Sequence, residues 1–82
     1  MSETNWVVYI LQCNDDTLYT GITTNLERRI NQHENGKGAK YTKGRSPFKI
    51  IYIQICNDKS SALKRELEIK KLKKSEKLNL KN

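Results

Sequence analysis

Trp6-Val7-Val8-Tyr9-Ile10-Leu11-Gln12-Cys13 is the stretch that decides the architecture of this chain. It is rich in β-branched and aromatic residues, which favour a strand. Its apolar character is nearly continuous instead of alternating, so both faces are expected to be covered and the strand to be central. Asn14-Asp15-Asp16 supplies a turn, since such residues tolerate tight backbone geometry. Thr17 to Thr23 reads as the return strand of a hairpin. By the two-residue period of a strand, Tyr9 shares a face with Val7 and Leu11, and Tyr19 with Thr17, Gly21 and Thr23.

Beyond the hairpin, Thr24 through Glu27 fits a T-x-x-E capping box that opens a helix. Gly36 suits the position just past its end. Residues 36–47 form a basic, glycine-punctuated loop, and Phe48 to Cys56 is a third strand. A second helix is expected from about Ser61 to Lys74, and a short helical turn over Ser75 to Leu80. The order is ββαβα(α). The expected fold is an α/β (α+β) sandwich, a small three-stranded antiparallel sheet flanked by helices. Residues 1–82 read as one domain with its core at about 6–80.

Eighty-two residues, 35% of them hydrophobic, suffice for one modest core. No apolar run approaches the roughly 20 residues that span a bilayer. The segment Met1-Ser2-Glu3-Thr4-Asn5-Trp6 lacks the regions of a signal peptide, so the cytoplasm is the expected compartment. The net charge of +7 is unevenly spread: residues 1–35 carry two arginines against five acids, and residues 59–82 carry nine bases against three acids. A positive surface on one side of the fold suits a phosphate backbone. A lysine-rich solvated helix would give the same composition. Cys13 and Cys56 lie far apart, outside any metal-binding spacing, and read as reduced strand-end residues.

Helix geometry separates neighbouring candidates. At about 100° per residue, Leu26 and Ile30 define the buried side of the first helix, with Arg29 and His33 bordering it and Arg28 opposite. In the second helix Ala62, Leu63, Leu67 and Ile69 span an arc of roughly 160° that contains Glu66 and leaves Glu68 outside. An inward carboxylate among bases is costly unless it is paired or holds a cation. A plain Glu66–Lys70 pair at i,i+4 is the alternative.

The order Tyr9, then Tyr19-Thr20-Gly21, then Arg29 and His33 one turn apart, then Glu66, resembles the catalytic core of the GIY-YIG nucleases. The family's arginine falls eight residues after the motif glycine, which selects Arg29 counting from Gly21. The resemblance runs from Trp6 to about Leu80, includes the loop Gly36 to Pro47, and fits the small single-domain bacterial branch. The first motif reads Val7-Val8-Tyr9, with valine where the family name has glycine. The asparagine that many members carry about twelve residues after the glutamate is Leu78 here, with Asn79 adjacent.

The resemblance implies a metal-dependent endonuclease that hydrolyses phosphodiester bonds, in DNA ahead of RNA, in a repair or recombination setting. Glu66 would hold a single Mg²⁺ or Mn²⁺. Arg29 would stabilise transition-state charge, Tyr9 would act as general base, and Tyr19 and His33 would orient the water or relay the proton. Gly21 would allow close approach of backbone to a neighbouring element or to phosphate. Lys37, Lys40, Lys43, Arg45 and Lys70 would grip the nucleic-acid backbone, and Tyr41 could stack on a base; a mobile charged loop is the plainer reading of 36–47. A nucleic-acid-binding module of the same fold without useful catalysis, delivering a protein partner, is the competing function. An adaptor using the lysine-rich tail is a third, and it leaves the inward Glu66 unexplained.

Overall fold

The computed structural model describes residues 5–38 and 42–80. Elements run β1 (Trp6–Gln12), β2 (Leu18–Thr23), α1 (Leu26–Glu34), β3 (Lys49–Cys56), α2 (Lys59–Lys70) and α3 (Lys74–Leu78). The strands form one antiparallel sheet in the order β2-β1-β3, so β1 is central as its apolar continuity predicts. Val8, Tyr9, Ile10 and Leu11 are all fully buried, covering both faces of β1. Each such side chain contributes on the order of 1.5–3 kcal/mol relative to an exposed one.

The two faces differ in kind. Val8 and Ile10 pack with Tyr52, Cys56, Ala62 and Ile69 into the apolar core beneath α2, with Trp6, Leu18, Ile22, Ile51 and Leu80 at its margin. The opposite face carries Tyr9 and Leu11 and is closed by the buried His33 of α1. A shift of register between Ile10 and Leu11 against β3 brings Leu11 opposite Ile50.

Several boundaries and faces depart from expectation. The cap of α1 is Asn25, whose side chain accepts from the Arg28 N–H at 3.0 Å, not Thr24. Thr23 Oγ1 accepts from the Asn25 N–H and so sets up that cap. Leu26 and Ile30 are only half-buried, and His33 is the buried residue of α1: the helix meets the sheet at its C-terminal turn. Helix α2 starts two residues early, because the Asp58 carboxylate caps Ser61 N–H, and stops at Lys70. Leu63 and Leu67 are 41% and 60% exposed, outside the core in which they were expected. At about 100° per residue they lie roughly 100° and 140° around the axis from Ala62, whereas Glu66 lies about 40° away. The small Ala62 and the bulky Ile69, both fully buried, set the contact line instead. Cys13 and Cys56 are buried and free. No helix of the described residues is long and apolar enough to cross a membrane.

Candidate active site

Register builds the site before any helix contributes. Tyr9 lies opposite Gly21, and Leu11 opposite Tyr19, so both tyrosines project from one face of the β1–β2 ladder. Their ring centroids are 6.2 Å apart. Gly21 makes this arrangement possible: a Cβ there would stand 2.7 Å from the Tyr9 hydroxyl oxygen and 2.9 Å from Tyr19 Cε2. The close approach that this glycine permits is therefore to the two tyrosine rings. Gly21→Ala should displace the buried Tyr9 ring and cost on the order of 1–3 kcal/mol of stability by overpacking. Thermal unfolding of the variant checks the cost; an unchanged Tm would mean that the rings give way freely.

Helix α1 adds His33, which is 1% exposed and therefore needs partners for both ring nitrogens. Nε2 lies 2.9 Å from the Tyr9 hydroxyl, and Nδ1 lies 2.7 Å from Thr42 Oγ1. Burial, then the nearby Arg29 charge, lowers the His33 pKa to about 4, so the ring is neutral at neutral pH. Burial also pushes the Tyr9 pKa up to about 12, against the pull of Arg29 and with smaller upward pushes from Tyr19 and Glu66. The Tyr9 and Thr42 hydroxyls can each donate or accept, so either neutral imidazole tautomer satisfies both ring nitrogens.

The ring is also packed on all sides. Tyr19 and Phe48 meet it edge-on, with centroids at 5.2 and 5.9 Å. Gly38 closes another side, where an added Cβ would clash with Nδ1.

Arg29, half-buried beside the tyrosines, donates to Gln32 Oε1 at 3.1 Å. Burial works against its charge, but its reach to the Tyr9 and Tyr19 hydroxyls raises its pKa overall. Glu66 lies near enough to act electrostatically on Tyr9, and its side chain is only 15% exposed. Its partner is Lys70, at 3.3 Å, so the i,i+4 pair and the inward carboxylate coexist. Glu68 faces outward and pairs with Arg65.

Thus Tyr9, Tyr19, Arg29 and His33 are brought together over Gly21, with Glu66 at the edge. The loop residues divide. Lys37 and Lys43 are exposed. Arg45 pairs with Asp15 in the hairpin turn. Lys40 and Tyr41 lie outside the described residues. Thr42, Gly38 and Phe48 support His33 and are not singled out by the sequence; all three lie in or next to the quoted loop, which reads there as a charged grip or a mobile charged loop.

The chain is similar to known proteins over nearly its whole length. Residues 5–79 match the family of GIY-YIG catalytic domains. A UPF0213 protein of Oceanobacillus iheyensis is 55% identical over 73 residues, 89% of this chain and 85% of that protein. One from Photorhabdus laumondii is 45% identical over 98% of this chain and 77% of its own. The solution structure of a UPF0213 protein from Bacillus halodurans shares 46% identity with a TM-score of 0.59, covering 93% of this chain and 81% of that one. The solution structure of a protein from E. faecalis shares 36% identity with a TM-score of 0.65, covering 92% and 80%.

Proposed function

The chain belongs to the GIY-YIG family, a superfamily of nucleases, and we propose that it is a divalent-metal-dependent endonuclease acting on DNA rather than RNA. The observation that carries this reading is the buried Tyr9 hydroxyl, bonded to a neutral imidazole and faced by an arginine. A purely structural tyrosine has no need of that combination.

The donor set fits a hard, mostly hydrated cation. No group of three or more His, Cys, Asp or Glu stands ready to cage a metal among the described residues. One inward carboxylate, Glu66, suits Mg²⁺ or Mn²⁺, since Mg²⁺ keeps several waters and takes substrate phosphate oxygens alongside one or two carboxylates. Bound there, a single ion supplies Lewis-acid polarisation of the scissile phosphate and neutralises charge at the leaving oxygen.

The chain's own residues do the rest. The deprotonated Tyr9 oxygen takes a proton from the attacking water, and the 2.9 Å contact with His33 Nε2 holds that oxygen in place. The water oxygen bonds to phosphorus, the bond to the leaving oxygen breaks, and that oxygen takes up a proton from solvent. His33 stays neutral, and its Nδ1 contact with Thr42 Oγ1 holds the ring in place. Arg29 presents its planar fork to the phosphoryl oxygens as their charge grows. Tyr19 orients the water from the other side of Gly21.

One observation favours a second reading, a binding module without useful catalysis: a phenol with a pKa near 12 is almost wholly protonated at neutral pH. The discriminating experiment is cleavage of single-stranded, duplex, nicked and branched DNA with Mg²⁺ or Mn²⁺, by the parent chain and by Glu66→Ala. Cleavage by the parent, reduced at least about a hundredfold in the variant, is expected, because one missing electrostatic contact of this kind costs about 10²–10³ in rate. If neither cuts while both bind DNA with the same salt dependence, the binding module is the function.

A further inference from the structure

The edge of β2 away from β1 faces α2 and α3 across two adjoining clefts. The first, of about 250 Å³, is lined by Leu18, Tyr19, Thr20, Lys70 and Lys77. The second, of about 220 Å³, is lined by Thr17, Leu18, Lys74 and Lys77. Leu18 and Lys77 belong to both, so the two form one continuous trough. Among the described residues, none that lines either cleft is acidic. Of the carboxylates on the neighbouring elements, Glu66 holds Lys70, Glu76 accepts from the Lys73 backbone N–H, and Asp15 is tied to Thr17 and Arg45.

A row of lysines would carry little by itself. The second observation lies under it. Thr20 is 4% exposed, and its Oγ1 is the buried side-chain oxygen that lacks a hydrogen-bond partner among the described residues. Leaving a buried hydroxyl unpaired is costly, and such a group in a native fold calls for an explanation. With Lys70 held by Glu66, the unpartnered hydroxyl of Thr20, which lines the first cleft, and the ammonium groups of Lys74 and Lys77 describe a site for an anion.

We propose that this trough binds the sugar-phosphate backbone of the nucleic-acid strand beside the scissile phosphate, with Lys74 and Lys77 on the phosphates and Thr20 donating to one of them. Tyr19 belongs both to the first cleft and to the tyrosine–histidine cluster, so a strand lying in the trough leads into the reacting centre. Each cleft is smaller than the roughly 300–1,000 Å³ typical of sites that enclose a whole small molecule. A chain of anionic groups passing through fits better than a single enclosed nucleotide. The proposal rests on the nuclease reading for the strand's direction, not for its binding.

The test is fluorescence anisotropy of a twelve-nucleotide single-stranded DNA in EDTA over a series of salt concentrations. The parent is compared with Lys74→Gln/Lys77→Gln, with Thr20→Val, and with the charge-matched Lys64→Gln/Lys71→Gln on exposed positions of the same region. The trough variant should bind at least about tenfold more weakly with its salt slope reduced by about one to two, as expected for lost phosphate contacts. Thr20→Val should weaken binding several-fold without changing the slope, while the control pair shifts it less than about threefold. Equal losses from both lysine pairs would overturn the proposal in favour of diffuse charge, and so would parental binding by Thr20→Val. Amide shifts of Leu18 to Thr20 that respond to inorganic phosphate as strongly as to the oligonucleotide would mark a free-anion site and overturn it too. Because metal is withheld, a chain that binds through Lys74 and Lys77 but never cuts sinks the nuclease reading alone; one that cuts but ignores these substitutions sinks the trough alone.

Discussion

Tyr9→Phe should cleave DNA at least about a hundredfold more slowly than the parent, the scale at which a lost general base is felt. The substitution keeps the ring, so the packing against Tyr19 and over Gly21 survives. It removes one oxygen and leaves His33 Nε2 buried without its hydrogen-bond partner. That orphan costs about 1–3 kcal/mol, a loss of several degrees in Tm for each kcal/mol in a domain of this size. The pH–rate profile separates the roles. With the Tyr9 pKa raised to about 12, the basic fraction in the free protein rises tenfold per pH unit across the neutral range. Parental cleavage should therefore climb with pH, and the residual activity of Tyr9→Phe should lose that climb. A variant that keeps the parental slope would show that another group takes the proton. The same shift has a stability consequence. Between pH 10 and 12 the unfolded chain releases the Tyr9 proton while the folded one keeps it, so stability falls as pH rises through that window.

How much of this was legible beforehand depends on the range over which each contact acts. The central place of β1 follows from eight consecutive residues and needed nothing else. The pairing of Tyr9 with Gly21 follows from the hairpin turn, because register over a three-residue turn is a local matter. Glu66 was placed inward by periodicity, although Leu63 and Leu67, invoked for the same arc, are exposed. Periodicity gives the angle between residues; only the sheet decides where zero lies, and Ala62 against Ile69 set it. The capping error is of the same kind: Thr24 and Asn25 are both able to cap, and Thr23 Oγ1 on the Asn25 N–H settles the choice. The support of His33 was beyond such reasoning. Thr42 reaches it from nine residues along the chain, and Gly38 matters because an imidazole occupies the space of its missing Cβ. Lys74 and Lys77 were read only as part of a basic tail, since the strand edge they face lies more than fifty residues earlier.

Arg29→Gln should lower cleavage by about 10²–10³, the scale at which one transition-state donor is felt. It should also change a proton equilibrium that a merely structural arginine would leave alone. Arg29 is the second cause, after burial, that holds His33 near pKa 4. Removing its charge lets the His33 pKa rise towards the ordinary value of about 6.5 while burial still holds it below. The sign of the stability effect follows. In the parent, the unfolded chain takes up a proton on this histidine as pH falls below about 6.5, and the folded chain does not until about 4, so stability is lost on acidification through that window. In Arg29→Gln the folded state binds the proton sooner, and that part of the acid loss shrinks. NMR titration of the His33 ring, the only histidine in the chain, reads this directly without substrate or metal. An unmoved titration would detach Arg29 from His33. A raised pKa with undiminished cleavage would show that the arginine tunes the imidazole without touching the phosphate.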